Sequence, residues 1–219
     1  MRSVRFESLS DKGVWSKGVR HIKRRDRRLA SVIRQLGPYG RFSTYSDRYG
    51  ALVESIVYQQ LAGKAADAIM KRFKELYKGR IPKPQEFLRT SENRVRSSGI
   101  SPQKYSYIKD LCTRLDAGIL ELEALHTMPD EEVVRALDEV KGIGRWTAEM
   151  FLIFSLARTD VLPRDDLGIQ KAIQNVYGLR HLPSKRKFDE LAKRWSPYGS
   201  IATLYLWRSK DGGIWKPER

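Results

Sequence analysis

The sequence predicts an all-α protein, and three observations predict it. Apolar residues recur at steps of three and four through most of the chain. Cap residues and Pro or Gly breaks fall between those runs. No run alternates apolar and polar residues between hairpin turns, as a half-exposed strand would. With 219 residues and 41% hydrophobic content, the chain can bury a substantial core, as one domain or as two small interlocked lobes.

The first part carries the basic clusters Lys17, Arg20, Lys23 to Arg25, Arg27 and Arg28, and reads as one helix with a basic face ending near Gly37-Pro38. Tyr49, Leu52, Val53, Ile56, Val57 and Leu61 then form a helical stripe, interrupted by Gly63. Ala65, Ala66, Ile69, Phe73 and Leu76 resume it up to Gly79 and the Pro82/Pro84 break, and a short segment around Phe87 and Leu88 follows. Ser101-Pro102 reads as a helix start, with Ser as N-cap and Pro in the first turn. The stripe of that helix is Tyr105, Ile108, Leu111, Cys112 and Leu115. Asp130 after Pro129 predicts another cap, opening a helix through Val133, Val134 and Leu137. The apolar run from Trp146 to Leu156 predicts a helix buried on most sides. A further helix is expected from about Asp165 through Ile169, Ala172, Ile173 and Val176 to Gly178. Phe188, Leu191 and Trp195, and then the run from Ile201 to Trp207, supply the last two.

Composition narrows the function class. The lone Cys112 and three scattered histidines argue against an iron–sulfur cluster, a structural zinc or any cysteine- or histidine-built metal site. No apolar run reaches the roughly 20 residues that a membrane helix needs. Met1 to Phe6 lacks an apolar leader core, so an intracellular protein is expected. Lysine and arginine outnumber acidic residues by 42 to 26, a net charge of +16. Basic surfaces favour polyanions, because each neutralised phosphate releases counterions. Charge alone does not separate DNA from RNA, heparin or acidic lipid.

The most specific local pattern is Val140-Lys141-Gly142-Ile143-Gly144-Arg145 between two helices. Paired glycines permit positive φ and close backbone approach in a tight turn. Amides of such a turn, opening onto a helix N-terminus, can converge on one phosphate oxygen. Ile143 is expected to anchor the turn by packing inward, while Lys141 and Arg145 add charge. Read alone, Gly-Ile-Gly is equally a plain helix–helix connection.

These residues carry a family resemblance. The segment resembles the helix–hairpin–helix of the DNA glycosylase superfamily in which that motif precedes a Gly/Pro-rich loop and an aspartate. Gly142 to Ala148 is most similar to the alkylation-repair branch, 3-methyladenine DNA glycosylase II. The likeness continues through Leu162-Pro163-Arg164-Asp165-Asp166 and Arg194 to Tyr198, ending at Leu206-Trp207. Upstream, Tyr58-Gln59-Gln60-Leu61 with Lys64 to Ala66 resembles that family's first core helix and DNA wedge. The resemblance spans roughly residues 45 to 215. It departs from bifunctional relatives such as endonuclease III, which place a lysine where this chain has Trp146, so Schiff-base strand cleavage is not expected. The four-cysteine cluster of those relatives is absent too, and about 40 residues leave too little room for the N-terminal sheet domain of longer bacterial forms.

The resemblance implies a two-lobed helical fold, with residues 1–51 and 159–219 in one lobe and 52–158 in the other, and a cleft between them. It implies Asp166 as the catalytic carboxylate and Asp165 as helix cap or supporting group. A fixed carboxylate stabilises the oxocarbenium character that develops at the sugar, and can also orient or deprotonate water; the sequence does not divide those roles. It implies DNA contacts from Lys141, Gly142, Ile143, Gly144, Arg145 and Thr147, with Gln60 and Leu61 at the wedge. Trp146, Trp207 and Tyr58 are the expected base pocket, with Trp195 a further candidate; a ring over a cationic base gains cation–π attraction. Read from spacing alone, Leu61 is a core leucine, Gln59 and Gln60 are solvated helix surface, and Lys104 is an ordinary surface cation.

No catalytic cofactor is expected. The backbone carbonyls of Asp138, Val140 and Gly142 are implied to hold a monovalent cation, Na+ or K+, beside the phosphate. The implied reaction is hydrolytic release of an alkylated purine from flipped double-stranded DNA, leaving an abasic site. The expected protein is a monomer with no membrane partner, in the cytoplasm or nucleoid of a prokaryote or the nucleus of a eukaryote. Two rival readings are a non-catalytic damage-binding protein on the same fold and a glycosylase for another base lesion.

Overall fold

The computed structural model describes residues 6–40 and 42–210. Within them the chain forms twelve α-helices and one short 3-10 turn, with a single isolated bridge between Ser8 and Arg158. The sequence-based readings of Met1 to Arg5 lie outside the described residues. No helix among the described residues is long and apolar enough to cross a membrane.

The chain divides into two compact units, one of residues 45–151 and the other of residues 5–44 with 152–219. The limits expected from the sequence fell at 51/52 and 158/159. One reason is local: Asp47 caps the first helix of the inserted unit by accepting from the Gly50 amide, so that helix starts before its first leucine.

In the inserted unit, α3 (Arg48–Tyr58), α4 (Gly63–Glu75), α5 (Pro84–Leu88), α6 (Glu92–Arg96), α7 (Pro102–Asp116) and α8 (Asp130–Asp138) precede α9 (Arg145–Phe154). α7 packs against α3, α5 and α6, burying Ile108, Leu111 and Cys112. Ser101 caps it through the Lys104 amide with Pro102 in the first turn, as expected. Pro129, not Asp130, is the N-cap residue of α8; Asp130 is its first helical residue. The short α6 and the 3-10 turn Ala124–Thr127 went unforeseen, since each buries a single side chain and leaves no periodic stripe.

The expected continuous stripe from Tyr49 to Leu61 is corrected. α3 stops at Tyr58, Gln60 takes a left-handed φ of 56°, and Leu61 leaves the helix 38% exposed. The ammonium of Lys104 explains the stop, because it donates to the carbonyls of Val57 and Gln59 at 2.7 and 2.8 Å. Carbonyls at a helix end lack intrahelical partners, and this lysine supplies one. Its surroundings hold the ammonium below the ordinary lysine range through burial, so Lys104 is no ordinary surface cation.

In the other unit, α1 (Lys12–Arg25), α2 (Arg27–Leu36), α10 (Leu167–Tyr177) and α11 (Lys185–Trp195) surround α12 (Gly199–Lys210), which is buried from Gly199 through Leu206. The single basic helix expected at the start is two helices. Asp26 breaks it at φ −141°, its carboxylate accepting from the Leu29 amide to cap α2. That carboxylate is 1% exposed and also accepts from Trp195 Nε1 at 2.9 Å and from the Tyr177 hydroxyl, with Arg194 at 3.6 Å. α1 approaches α12 closely at Gly18, where a Cβ would lie 2.3 Å from Ile201 Cδ1.

Candidate functional site

The turn between α8 and α9 is built from short internal bonds. The Ile143 amide donates to the Val140 carbonyl at 3.0 Å, and the Lys141 amide donates to Asp110 Oδ2 at 3.0 Å. Val140 and Ile143 are buried at 1% and 2% exposure, so Ile143 does anchor the turn by packing inward. Gly142 sits at φ +79° with its α-carbon against the ring of Tyr107; an added Cβ would lie 2.1 Å from Tyr107 Cδ2. Only glycine meets both demands. Gly144 faces open space, and its carbonyl accepts the first bond of α9 from Ala148.

This bonding redistributes the expected phosphate donors. The amides of Lys141 and Ile143 are spent inside the protein. What remains for an anion is the amides of Gly142 and Gly144 and the first turn of α9, whose amides have no intrahelical acceptor. Arg145 is also corrected as a loose cation. It forks onto both oxygens of Glu131 at 3.1 and 2.7 Å and lies 3.7 Å from Glu149. That pairing raises the guanidinium's affinity for its proton and holds the Glu131 carboxyl below the usual range. Thr147, expected on DNA, is 6% exposed on the buried side of α9. Lys141 presents an exposed side chain.

Gln59 ties this turn to the loop that carries Leu61. Its side-chain amide donates to the Gly142 carbonyl at 2.7 Å. Spacing alone puts Gln59 on solvated helix surface; 83 residues separate the two partners, and no local pattern announces such a bond. The loop Gln59 to Ala62 therefore presents Gln60 and Leu61, both exposed, from an anchored backbone. Tyr58 closes α3, 38% exposed, and its hydroxyl donates to Asp67 on α4. That bond pushes the phenol up to about 12. Trp146, at the second position of α9, is 45% exposed.

The backbone carbonyls of Asp138, Val140 and Gly142, implied by the resemblance to hold a monovalent cation, are hard oxygens of the kind such an ion takes. Two of them here carry hydrogen bonds: Val140 accepts from the Ile143 amide and Gly142 from the Gln59 side chain. A carbonyl oxygen has two lone pairs, so these residues fit a cation, with the Gln59 amide group competing at Gly142.

The second unit holds the carboxylates. Asp166 is the N-cap of α10: its Oδ1 accepts from the Ile169 amide at 2.7 Å and from Trp207 Nε1 at 3.3 Å. The expected division of labour is thus altered, because the capping residue is Asp166 itself and Asp165 is an exposed neighbour. Two donors on one oxygen fix the plane of the carboxylate. Gly168 leaves room for this: a Cβ there would lie 2.9 Å from Asp166 Oδ1, 3.5 Å from Lys210 Nζ and 3.6 Å from Trp207 Cδ1.

Trp207 in turn stacks on Phe154, ring centres 6.1 Å apart and planes 15° from parallel. Phe154 stacks on Phe42 at 6.1 Å and 19°, and Phe42 on Trp15 at 6.3 Å and 23°. Phe42 and Phe154 are not expected near the site from sequence: Phe154 lies in an apolar run where aromatic character alone does not distinguish core from pocket, and Phe42 lies in a polar segment with no helical stripe. Trp195 is removed from the pocket candidates, since it is fully buried with its indole N–H on Asp26.

Residues 53–197 match the family model described as HhH-GPD superfamily base excision DNA repair protein. The chain is 33% identical over 204 residues to DNA-3-methyladenine glycosylase 1 of Schizosaccharomyces pombe, covering 91% of this chain and 90% of that protein. The crystal structure of DNA-3-methyladenine glycosidase from Bacillus halodurans superposes with a TM-score of 0.82 at 35% identity, covering 95% of this chain and 94% of that one. The S. pombe 3-methyladenine DNA glycosylase in complex with abasic DNA superposes with a TM-score of 0.79 at 32% identity, covering 91% and 100%.

Proposed function

The chain belongs to the HhH-GPD superfamily of base excision DNA repair proteins, and from that premise we propose that it is a monofunctional DNA glycosylase that releases alkylated purines from double-stranded DNA. The observation that carries the reading is Asp166, fixed by a backbone amide and an indole N–H beside the stacked rings of Trp207 and Phe154.

The chemistry follows from those groups. The substrate nucleotide must leave the duplex, at an unstacking cost of a few kcal/mol, least for damaged bases. Leu61 on its anchored loop is the wedge that replaces lost stacking. A purine alkylated at N3 or N7 already carries positive charge, so the C1′–N bond breaks with its electron pair leaving on the base and no proton added. The Asp166 carboxylate stabilises the cationic sugar that forms. Water oxygen then bonds to C1′, and its proton passes to Asp166 or to solvent. Trp146 stands where bifunctional relatives carry an amine, so the products are free base and an intact abasic strand.

Gly144 and the first-turn amides of α9 hold a backbone phosphate, and Lys141 adds charge. A monovalent cation on the carbonyls of Asp138, Val140 and Gly142 would add positive charge beside that phosphate. The protein acts as a monomer wherever the genome lies, in the cytoplasm or nucleoid of a prokaryote or the nucleus of a eukaryote.

The test is base release from methylated duplex DNA, with a panel of alkylated purines, by wild type and Asp166→Asn. Wild type should release 3-methyladenine or 7-methylguanine, with Asp166→Asn slower by roughly 10²- to 10³-fold. Equal rates would remove Asp166 from the chemistry. Binding by wild type without release would make the protein a damage binder instead.

A further inference from the structure

The helical unit that contains α1 and α12 bears a second feature that the base-release chemistry does not use. A cavity of about 780 Å³ is walled by Trp15, Tyr39 and Tyr205 and rimmed by Arg20 and Lys23. Trp15 and Tyr39 lie with ring centres 5.0 Å apart, and Tyr205 stands edge-on to Tyr39 at 6.0 Å. The Tyr205 hydroxyl accepts from the Tyr39 amide at 3.1 Å and donates to the Gly37 carbonyl, which fixes the Gly37 to Tyr39 wall. Arg208 donates to the Pro38 carbonyl at 3.0 Å and holds the same wall from α12.

Arg20 and Lys23 are shared with an adjoining cavity of about 570 Å³, lined also by Lys17, Arg24 and Tyr198. His21 lies on that cavity too, with Nε2 shielded from solvent and no protein partner among the described residues. Lys17, Arg20 and Arg24 succeed one another at steps of three and four along one face of α1, roughly 5–6 Å apart at Cβ. All four cations are exposed, and none has an acidic partner within 4.0 Å among the described residues. Some cations on other helices, Arg145, Arg114, Arg164, Lys185, Lys187 and Arg194 among them, are paired with carboxylates. α1 thus keeps a row of unneutralised cations beside a ring-walled hollow.

Rings that line a hollow next to a cationic track are suited to a nucleotide of a single strand. We propose that this pair of cavities is a second nucleic-acid site, binding a segment of single-stranded DNA with one base against Trp15 and Tyr39, its phosphate on Arg20 and Lys23, and the next phosphate on Lys17 and Arg24. The site does not depend on excision chemistry. It gives the protein a hold on unpaired strand that is separate from the phosphate turn at Gly142 to Gly144.

The experiment measures fluorescence anisotropy of a labelled twelve-nucleotide oligothymidylate on the full chain, across a salt series. Arg20→Ala/Lys23→Ala should bind at least tenfold more weakly than wild type, with the salt slope reduced by about 0.7, the contribution of the one single-strand phosphate those two residues hold. Its release of base from methylated duplex should stay within about threefold of wild type. A strand of the same length built from base-free sugar units should bind wild type about tenfold more weakly than oligothymidylate. Unchanged oligothymidylate affinity in the double variant overturns the site. Equal affinity for the base-free strand leaves only a phosphate track and overturns the base-binding claim. Loss of excision by wild type would sink the glycosylase reading and leave this one standing, because the two readouts use different DNA.

Discussion

Asp166 has two duties that substitution can separate. Its Oδ1 caps α10 through the Ile169 amide, and the same side chain carries the charge assigned to the sugar cation. Asparagine caps a helix about as well as aspartate, whereas alanine does not. Asp166→Asn should therefore keep the melting temperature near wild type while abolishing most base release. Asp166→Ala should lose about 1 kcal/mol of stability in denaturant titration as well as activity. A large stability loss in Asp166→Asn would show that charge, not capping geometry, holds this end of α10. The position of Asp166 was legible in the sequence because an aspartate pair after Pro163 opens a helical stripe. Which of the pair caps was not, since that depends on a one-residue difference in where α10 starts. Lys104 and Gln59 were illegible for another reason. Their partners lie 45 to 83 residues away, beyond any periodic pattern.

At the scale of elements, the turn between α8 and α9 makes the two glycines unequal. Gly142→Ala forces a left-handed residue, which costs roughly 1–2 kcal/mol, and drives a methyl into Tyr107. It should lower both stability and duplex binding. Gly144→Ala meets open space and should melt within about 0.5 kcal/mol of wild type by surface-substitution norms. Its DNA affinity should still fall, because the methyl stands where the phosphate approaches. Retained affinity in Gly144→Ala would move the phosphate away from this turn. The Asp26 cluster works on a similar scale, joining α1, α2, α10 and α11. Asp26→Ala strands the Trp195 indole, the Tyr177 hydroxyl and the Leu29 amide, and should cost about 3–5 kcal/mol in chemical denaturation. A loss under 1 kcal/mol would mean that water replaces the carboxylate. Helix existence was readable from stripes such as Ile108, Leu111 and Cys112, and so was an end set by a local cap, Ser101 on α7; the end of α3 was not, because a long-range group, Lys104, takes its carbonyls.

Across the whole molecule, an excess of sixteen positive charges sets the salt response. Each duplex phosphate neutralised should contribute about −0.9 to the slope of log K against log salt, so about six contacts give a slope near −5. A slope shallower than about −2 would show that most of the basic surface stays off the DNA. α11 meets part of its positive charge with a carboxylate of its own, Glu190 pairing with Lys187 and Arg194. The exposed row on α1 does not. Net charge pointed to a polyanion from the outset, yet its distribution over the surface needed the folded arrangement, since side chains adjacent in sequence point to different faces of a helix.

The chain order of the two units has a consequence for synthesis. Residues 45–151 are contiguous, whereas their companion unit is assembled from residues 5–44 and 152–219. On the ribosome the insert can complete its own core as it emerges, while α1 and α2 wait for α12, the helix they pack against. A nascent chain halted near residue 180 would therefore hold a finished insert and an orphaned amino-terminal pair, and that pair is where a chaperone would find exposed apolar surface.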